Sequence, residues 1–200
     1  MDGLHERDQP ADPLERFRVW FEAAEGSERQ PDAMALATAT LEGVPSVRMV
    51  LLKSADERGL VFATNFDSRK GCELAANPNA AVTFHWATLH QAVRVEGRVE
   101  RCTEAESDAI WSSRPREARL AAAASEQSRP IPDRETLERA FAELDERYPG
   151  DDVPRPATWG GYRLVPDAWE FWRGRDHRLH DRLRLTRDRA GRWTVTRLAP

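Results

Sequence analysis

A chain of 200 residues with 40% hydrophobic side chains can bury a core without disulfide or metal staples, and its two cysteines, Cys72 and Cys102, lack metal-ligand spacing. A net charge of -4, from 30 Lys+Arg against 34 Asp+Glu, argues against a general nucleic-acid-binding surface but leaves room for a local anion site. No apolar run approaches the roughly 18 residues of a membrane span, and the N-terminus is polar, so a cytoplasmic protein with reduced thiols, no metal and no membrane partner is expected.

Residues 1–12 read as a flexible, charged arm and residues 13–200 as a single domain. Asp12 is placed to cap a helix with Pro13 at its first position, and Leu14, Phe17, Trp20, Phe21 and Ala24 form one apolar stripe. Met34 to Leu41 alternates with the strand period and ends at the turn pair Glu42-Gly43. An apolar strand (Met49 to Leu52), a polar turn closed by Gly59, and a second strand (Leu60 to Thr64) follow. A basic loop then opens a helix from about Ser68 to Ala76, stopped by Asn77-Pro78. Residues 80–86 and 91–101 are two further strands.

Thr103 begins a capping box with Glu106 and starts a helix to about Ser112, which Arg114-Pro115-Arg116 interrupts. A second helix carries the alanine run to Ser125. Asp133 to Tyr148 is amphipathic, with Leu137, Phe141 and Leu144 on one face, and Pro149 to Pro156 is a stiff linker. Strands at 162–165, 169–172, about 182–186 and 193–198 complete the chain. Short connections, with no helix long enough for repeated crossovers, predict a mainly β fold with flanking helices, its antiparallel sheet closed into a small barrel.

Cations frame the hairpin between Ser46 and Gly71: Arg48 and Lys53 bracket its first strand, and Arg69 and Lys70 lie where the next helix begins. Lys53 and Lys70 are the only lysines among 30 basic residues, which singles out positions suited to a compact ammonium. A helix start with cations beside it can seat a phosphate, although a solvated hairpin with ordinary surface charge fits the spacing equally well. RDHRLHDR (175–182) is polar throughout and reads from its residues alone as a surface hairpin. Six of the seven tryptophans are read as core or interface aromatics.

The strings RMVLLK (48–53), SRKG (68–71), SRPR (113–116), SEQS (125–128), WGGYRL (159–164), EFWRGRDHRLHDR (170–182) and RLAP (197–200) occur in this order. With them the chain resembles the flavin-dependent pyridoxine/pyridoxamine 5′-phosphate oxidases over nearly all its length after the first dozen residues. The resemblance implies an antiparallel six-stranded split β-barrel and a homodimer with FMN in clefts between the subunits. It assigns Arg48, Arg69 and Lys70 to the FMN phosphate. The strand backbone through Met49, Val50, Leu51, Leu52 and Lys53, with the Thr64 hydroxyl, would lie along the cofactor. Gln127 and Ser128 would reach it, and Trp172 and Arg182 would lie near the rings. Lys53, Arg114, Arg178 and His180 would bind substrate, Arg178 and His180 on the reacting face as the catalytic pair. The implied reaction oxidises a phosphorylated pyridine, pyridoxine or pyridoxamine 5′-phosphate, to pyridoxal 5′-phosphate, with dioxygen as electron acceptor.

Four positions depart from the family pattern: Ile110 for a tyrosine, Ala118 for a serine, Ala123 for an indole and Ala92 for a glutamine. Gln91 cannot replace the last without a bulge, because neighbouring strand side chains face opposite ways. Three readings stand: a divergent pyridoxal-phosphate-forming oxidase, a related flavin oxidase of phenazine biosynthesis acting on reduced tricyclic acids, and a non-catalytic flavin-binding split barrel.

Overall fold

Among residues 3–200, the part of the chain that the computed structural model describes, eight strands form one antiparallel sheet. In chain order they are β1 (Ala33–Ala39), β2 (Pro45–Asp56), β3 (Gly59–Asn65), β4 (Asn79–Trp86), β5 (Gln91–Arg101), β6 (Trp159–Arg173), β7 (Asp181–Arg187) and β8 (Trp193–Arg197). Their spatial order is β3-β2-β1-β4-β5-β6-β7-β8. A second pairing joins β3 to the first half of β6, from Leu60 opposite Leu164 to Asn65 opposite Trp159, and closes six strands into a barrel. Strands β7 and β8 extend the sheet from the second half of β6. The expected six-stranded antiparallel barrel is the observed one, with two strands added.

The helices are α1 (Pro13–Glu25), α2 (Arg69–Ala76), α3 (Glu104–Ser112), α4 (Arg116–Ala124) and α5 (Arg134–Arg147). Their starts follow from side chains that satisfy otherwise orphaned backbone N–H groups. The Asp12 carboxylate accepts from Leu14, the Ser68 hydroxyl from Gly71 and the Asp133 carboxylate from Thr136. Thr103 and Glu106 form a reciprocal capping box. Gly59 adopts a φ of +140° in the β2–β3 turn, where a side chain would meet the Leu164 carbonyl.

Three expectations are corrected. Residues 162–165 and 169–172 belong to a single 15-residue strand, β6, and are not separate. Pro166 falls between the β3 pairing, which ends at Leu164, and the β7 pairing, which begins at Ala168, opposite a register shift in β5. The ladder is already interrupted there, so the missing N–H is tolerated. The N-terminal arm, whose residues 1 and 2 lie outside the described part, is anchored from Gly3 onward. Leu4 is buried in the core, its N–H donates to Asp181, and Arg197 pairs with Glu6 at 2.7 Å. Polar composition concealed this, because one apolar side chain and one ion pair suffice to dock it. On α5, Phe141 and Leu144 pack inward, but Leu137 is exposed.

The barrel core is filled by the inward alternation of its strands and by α1, whose Phe17 ring lies 5.2 Å from Phe84 and 5.4 Å from Trp169. A second cluster gathers Trp111, Leu120, Val153 and Trp159 beneath α3 and α4, with the Trp111 indole donating to the Val153 carbonyl at 2.7 Å. Trp20, Trp86, Trp111, Trp159 and Trp169 are buried, as expected. Among the described residues no helix is long and apolar enough to cross a membrane.

Gly71 sits in the first turn of α2, where an added Cβ would stand 2.1 Å from the Phe66 carbonyl oxygen. Backbone must move to accept it, so Gly71→Ala should destabilise the protein by about 1–3 kcal/mol, even though alanine is the better helix former. A lower urea midpoint at unchanged slope is the expected result.

Candidate functional site

A cleft of about 490 Å³ at one end of the barrel is lined by Ser46, Val47, Arg48, Met49, Val50, Ala63, Thr64, Arg69, Lys70, Gln127 and Ser128. Strand register builds one wall. Thr38 pairs with Ser46 and Leu36 with Arg48 across β1 and β2, so Ser46 and Arg48 continue the inward face at the point where α2 meets β1. Strand β3 brings Thr64, the start of α2 brings Arg69 and Lys70, and the loop after α4 brings Gln127 and Ser128, the latter with a φ of 74°.

Lys70 is the chemical centre of this cleft. The residue is 7% exposed, and its ammonium donates to Gln127 Oε1 (2.8 Å), Thr64 Oγ1 (2.9 Å) and Ser68 Oγ (3.3 Å). All three partners are neutral, and no carboxylate pairs with it among the described residues. Burial, reinforced by the positive charge of Arg48, lowers its pKa to about 8. Arg48 and Arg69 instead share the buried carboxylate of Glu73, at 3.3 and 2.9 Å.

Glu73 also accepts from Ser46 Oγ at 2.6 Å and from Thr38 Oγ1, and both hydroxyls accept in turn from Arg48. Burial alone would raise the Glu73 pKa, but these hydroxyls, Arg69 and the charge of Arg48 hold it at about 2. Three cations against one carboxylate leave two positive charges, which suits the dianion of a phosphate monoester such as FMN. Sequence reasoning missed Glu73, Thr38 and Ser46. The four-residue spacing of Arg69 and Glu73 was a legible signal, whereas the hydroxyls join only through the β1–β2 register.

Trp172 and Arg182 lie elsewhere, in a cleft of about 390 Å³ with Thr83, His85, Ala92, Arg94, Glu170 and Pro200. They face each other across β6 and β7. The nearly buried Glu170 carboxylate accepts from Arg182 at 2.8 and 2.9 Å and from Arg94 at 3.0 Å. Ala92 opens onto this cleft, while Gln91 is buried on the opposite face, as alternation requires.

The remaining expected residues do not converge on either cleft within one chain. Leu51 is half-buried, Leu52 belongs to the core, and Lys53 is exposed beside α1 at the register shift between Leu52 and Ser54. Arg114 lies over the Trp159 ring at 5.2 Å, donates to the Ala118 carbonyl at 2.8 Å, and keeps a buried Nε without a partner. Ile110 packs against the second core cluster. Arg178 is exposed in the β6–β7 loop, which holds both His177 and Arg178 at positive φ (56° and 60°), a conformation that stores about 1–3 kcal/mol per residue. The His180 ring is 4.9 Å from Trp172, and its Nδ1 accepts from the Arg175 N–H at 3.1 Å.

A family model described as Pyridoxamine 5′-phosphate oxidase matches residues 21–148, and one described as the Pyridoxine 5′-phosphate oxidase C-terminal dimerisation region matches residues 159–200. The chain is 54% identical over 194 residues to a pyridoxine/pyridoxamine 5′-phosphate oxidase of Gluconobacter oxydans, covering 96% of each. It is 56% identical over 192 residues to that of Novosphingobium aromaticivorans, covering 95% of this chain and 94% of that one. Among solved structures, PhzG from Burkholderia lata, in complex with tetrahydrophenazine-1-carboxylic acid, aligns with a TM-score of 0.93 at 37% identity over 100% of this chain and 99% of that one. A pyridoxamine 5′-phosphate oxidase-related, FMN-binding protein of Nostoc punctiforme, at 17% identity and a TM-score of 0.76, shares the fold.

The lowered pKa of Lys70 makes a phosphate ligand sensitive to pH. Below about 8 the ammonium is charged and ready for an anion; above that value binding must first take up a proton. If this cleft seats the phosphate of FMN, affinity for that flavin falls as pH rises beyond 8, by up to about tenfold per unit. Titrations of flavin fluorescence from pH 7 to 10 should show this decline in the unaltered protein and its loss in Lys70→Met.

Proposed function

The chain belongs to the pyridoxine/pyridoxamine 5′-phosphate oxidase family and is a flavin-dependent oxidoreductase; from that premise we propose that it uses FMN to oxidise pyridoxine or pyridoxamine 5′-phosphate to pyridoxal 5′-phosphate, with dioxygen as electron acceptor. The observation that carries this reading is the cleft that unites Arg48, Thr64, Arg69, Lys70, Gln127 and Ser128. Those residues would hold the cofactor phosphate, Lys70 and Arg69 as charged donors and Thr64 and Gln127 as neutral ones. FMN, when bound, supplies a two-electron acceptor for the substrate carbon that bears the amine or alcohol.

The phosphate cleft and the Trp172–Arg182 cleft are separate in one chain, and a homodimer that takes one from each copy accounts for both. Val47 and Met49 support this: they lie on the outward face of β2, are 68% and 64% exposed, and form an apolar strip of the kind a second copy covers. The match of residues 159–200 to a dimerisation region agrees with it. A cytoplasmic location goes with the reading, the two cysteines being free thiols.

In this reading Arg178 and His180 act on the substrate. The Arg175 N–H occupies His180 Nδ1, which leaves Nε2 as the nitrogen able to donate a proton. Arg178 orients and polarises the substrate from a backbone already held in its unusual conformation. Lys53 and Arg114 provide charge for the substrate phosphate.

A second reading, oxidation of a reduced tricyclic acid, draws on specific observations. Ala122 and Ala123 line a further cleft of about 270 Å³ that shares Gln127 with the phosphate cleft, so small side chains leave room there. Ile110 and Ala118 offer no hydroxyl to a substrate phosphate, and the likeness to PhzG extends over the whole chain.

Anaerobic mixing of the flavin-loaded protein with pyridoxine 5′-phosphate, pyridoxamine 5′-phosphate and a dihydrophenazine acid separates the readings. The phosphorylated pyridines are expected to bleach the flavin fastest; faster bleaching by the tricyclic acid would favour the second reading, and no bleaching would favour a binding protein. Arg178→Ala should retain flavin while turnover falls about 10²-fold, measured by absorbance and steady-state rate.

A further inference from the structure

We propose that Glu73 is the positioning residue of the phosphate seat, its carboxylate fixing the guanidinium groups of Arg48 and Arg69 so that the seat selects a phosphorylated flavin over its unphosphorylated parent. This rests on the FMN reading above. Each carboxylate oxygen is committed: Oε1 to Arg69 Nε at 2.9 Å, and Oε2 to Arg48, Ser46 and Thr38. The side chain is 6% exposed, and its low pKa keeps it ionised across the working range.

Helix stability does not explain the pair. Arg69 occupies the first turn of α2 with Glu73 one turn later, the reverse of the order that the helix dipole favours. Neither arginine has another carboxylate partner among the described ion pairs. Arg69 is 59% exposed, so Glu73 is what restrains its long side chain.

Two effects of the carboxylate oppose one another. As a negative charge beneath the seat it repels an incoming phosphate, and as an anchor it holds two cations that would otherwise repel each other and Lys70. The anchor prevails, because four donors converge on the carboxylate and offset its field before it reaches the cleft. Thr38 and Ser46 act as relays, each donating to Glu73 and accepting from Arg48.

The test compares dissociation constants for FMN and riboflavin by fluorescence quenching on full-length protein freed of flavin. Glu73→Gln, nearly equal in volume, should weaken FMN by about tenfold or more and leave riboflavin nearly unchanged. Ser46→Ala, which keeps the charge but removes one relay, should lower the same preference by about threefold, and it decides the matter if circular dichroism shows Glu73→Gln misfolded. Equal losses for both flavins would make Glu73 merely structural, and tighter FMN binding would mean repulsion dominates; either overturns the proposal. If the unaltered protein shows no preference for FMN, the FMN reading itself fails and this inference with it. A normal preference in the unaltered protein that persists in both variants removes Glu73 alone.

Discussion

The pairing of β3 with β6 is the constraint on which the rest of the molecule depends. It turns an open sheet into a barrel and leaves β3 no exposed edge. Its last rungs, Thr64 with Gly160 and Asn65 with Trp159, fix the point from which the chain turns into α2, and so fix where Lys70 can reach. The same β6 runs on beyond Pro166 to present Trp172 to β7. Arg163 braces the closure from the outer face of β6, beneath α3: it is 4% exposed and pairs with Asp56 at the β2–β3 turn and Glu106 on α3. Because one guanidinium bonds both the turn and the helix, closure and helix packing are coupled.

Buried carboxylates organise both clefts by the same logic. Glu73 gathers Arg48 and Arg69 in one, and Glu170 gathers Arg94 and Arg182 in the other. Arginine suits these positions because its planar fork can bond a carboxylate on one edge and still present donors on another. Lys70 does a different task. Its ammonium reaches three oxygens from three segments of chain, a convergence that a planar guanidinium could not reproduce. The rarity of lysine singled out this position, and the fold buries it among neutral oxygens. It carries less weight at Lys53, which is exposed and lies outside the cleft.

Apolar side chains stand where the family resemblance led one to expect hydroxyls and an indole. Ile110 joins the second core cluster, and the methyl side chains of Ala122 and Ala123 make room without offering a donor. The charged groups remain, with Arg114 held between an indole face and the Ala118 carbonyl. Charge-assisted bonds are roughly twice as strong as neutral ones, so in the proposed reading the retained cations outweigh the missing hydroxyls.

Local rules were enough to read much of this chain. Caps at Asp12, Ser68, Thr103 and Asp133 stand where their side chains can reach an N–H two or three residues on, and such contacts need no tertiary partner. The grouping of cations at this cleft was legible for the same reason, since Arg69 and Lys70 open a helix and Arg48 sits on the strand of the preceding hairpin. Tertiary structure alone decided that Pro166 leaves β6 whole, that Leu4 docks the N-terminal segment, and that Thr38 and Ser46 meet at Glu73. It also separated Trp172 and Arg182 from the seat that shares their expected ligand. Each of these depends on strand register or on contacts between residues far apart in the chain, and periodicity within one segment carries no information about what lies across from it.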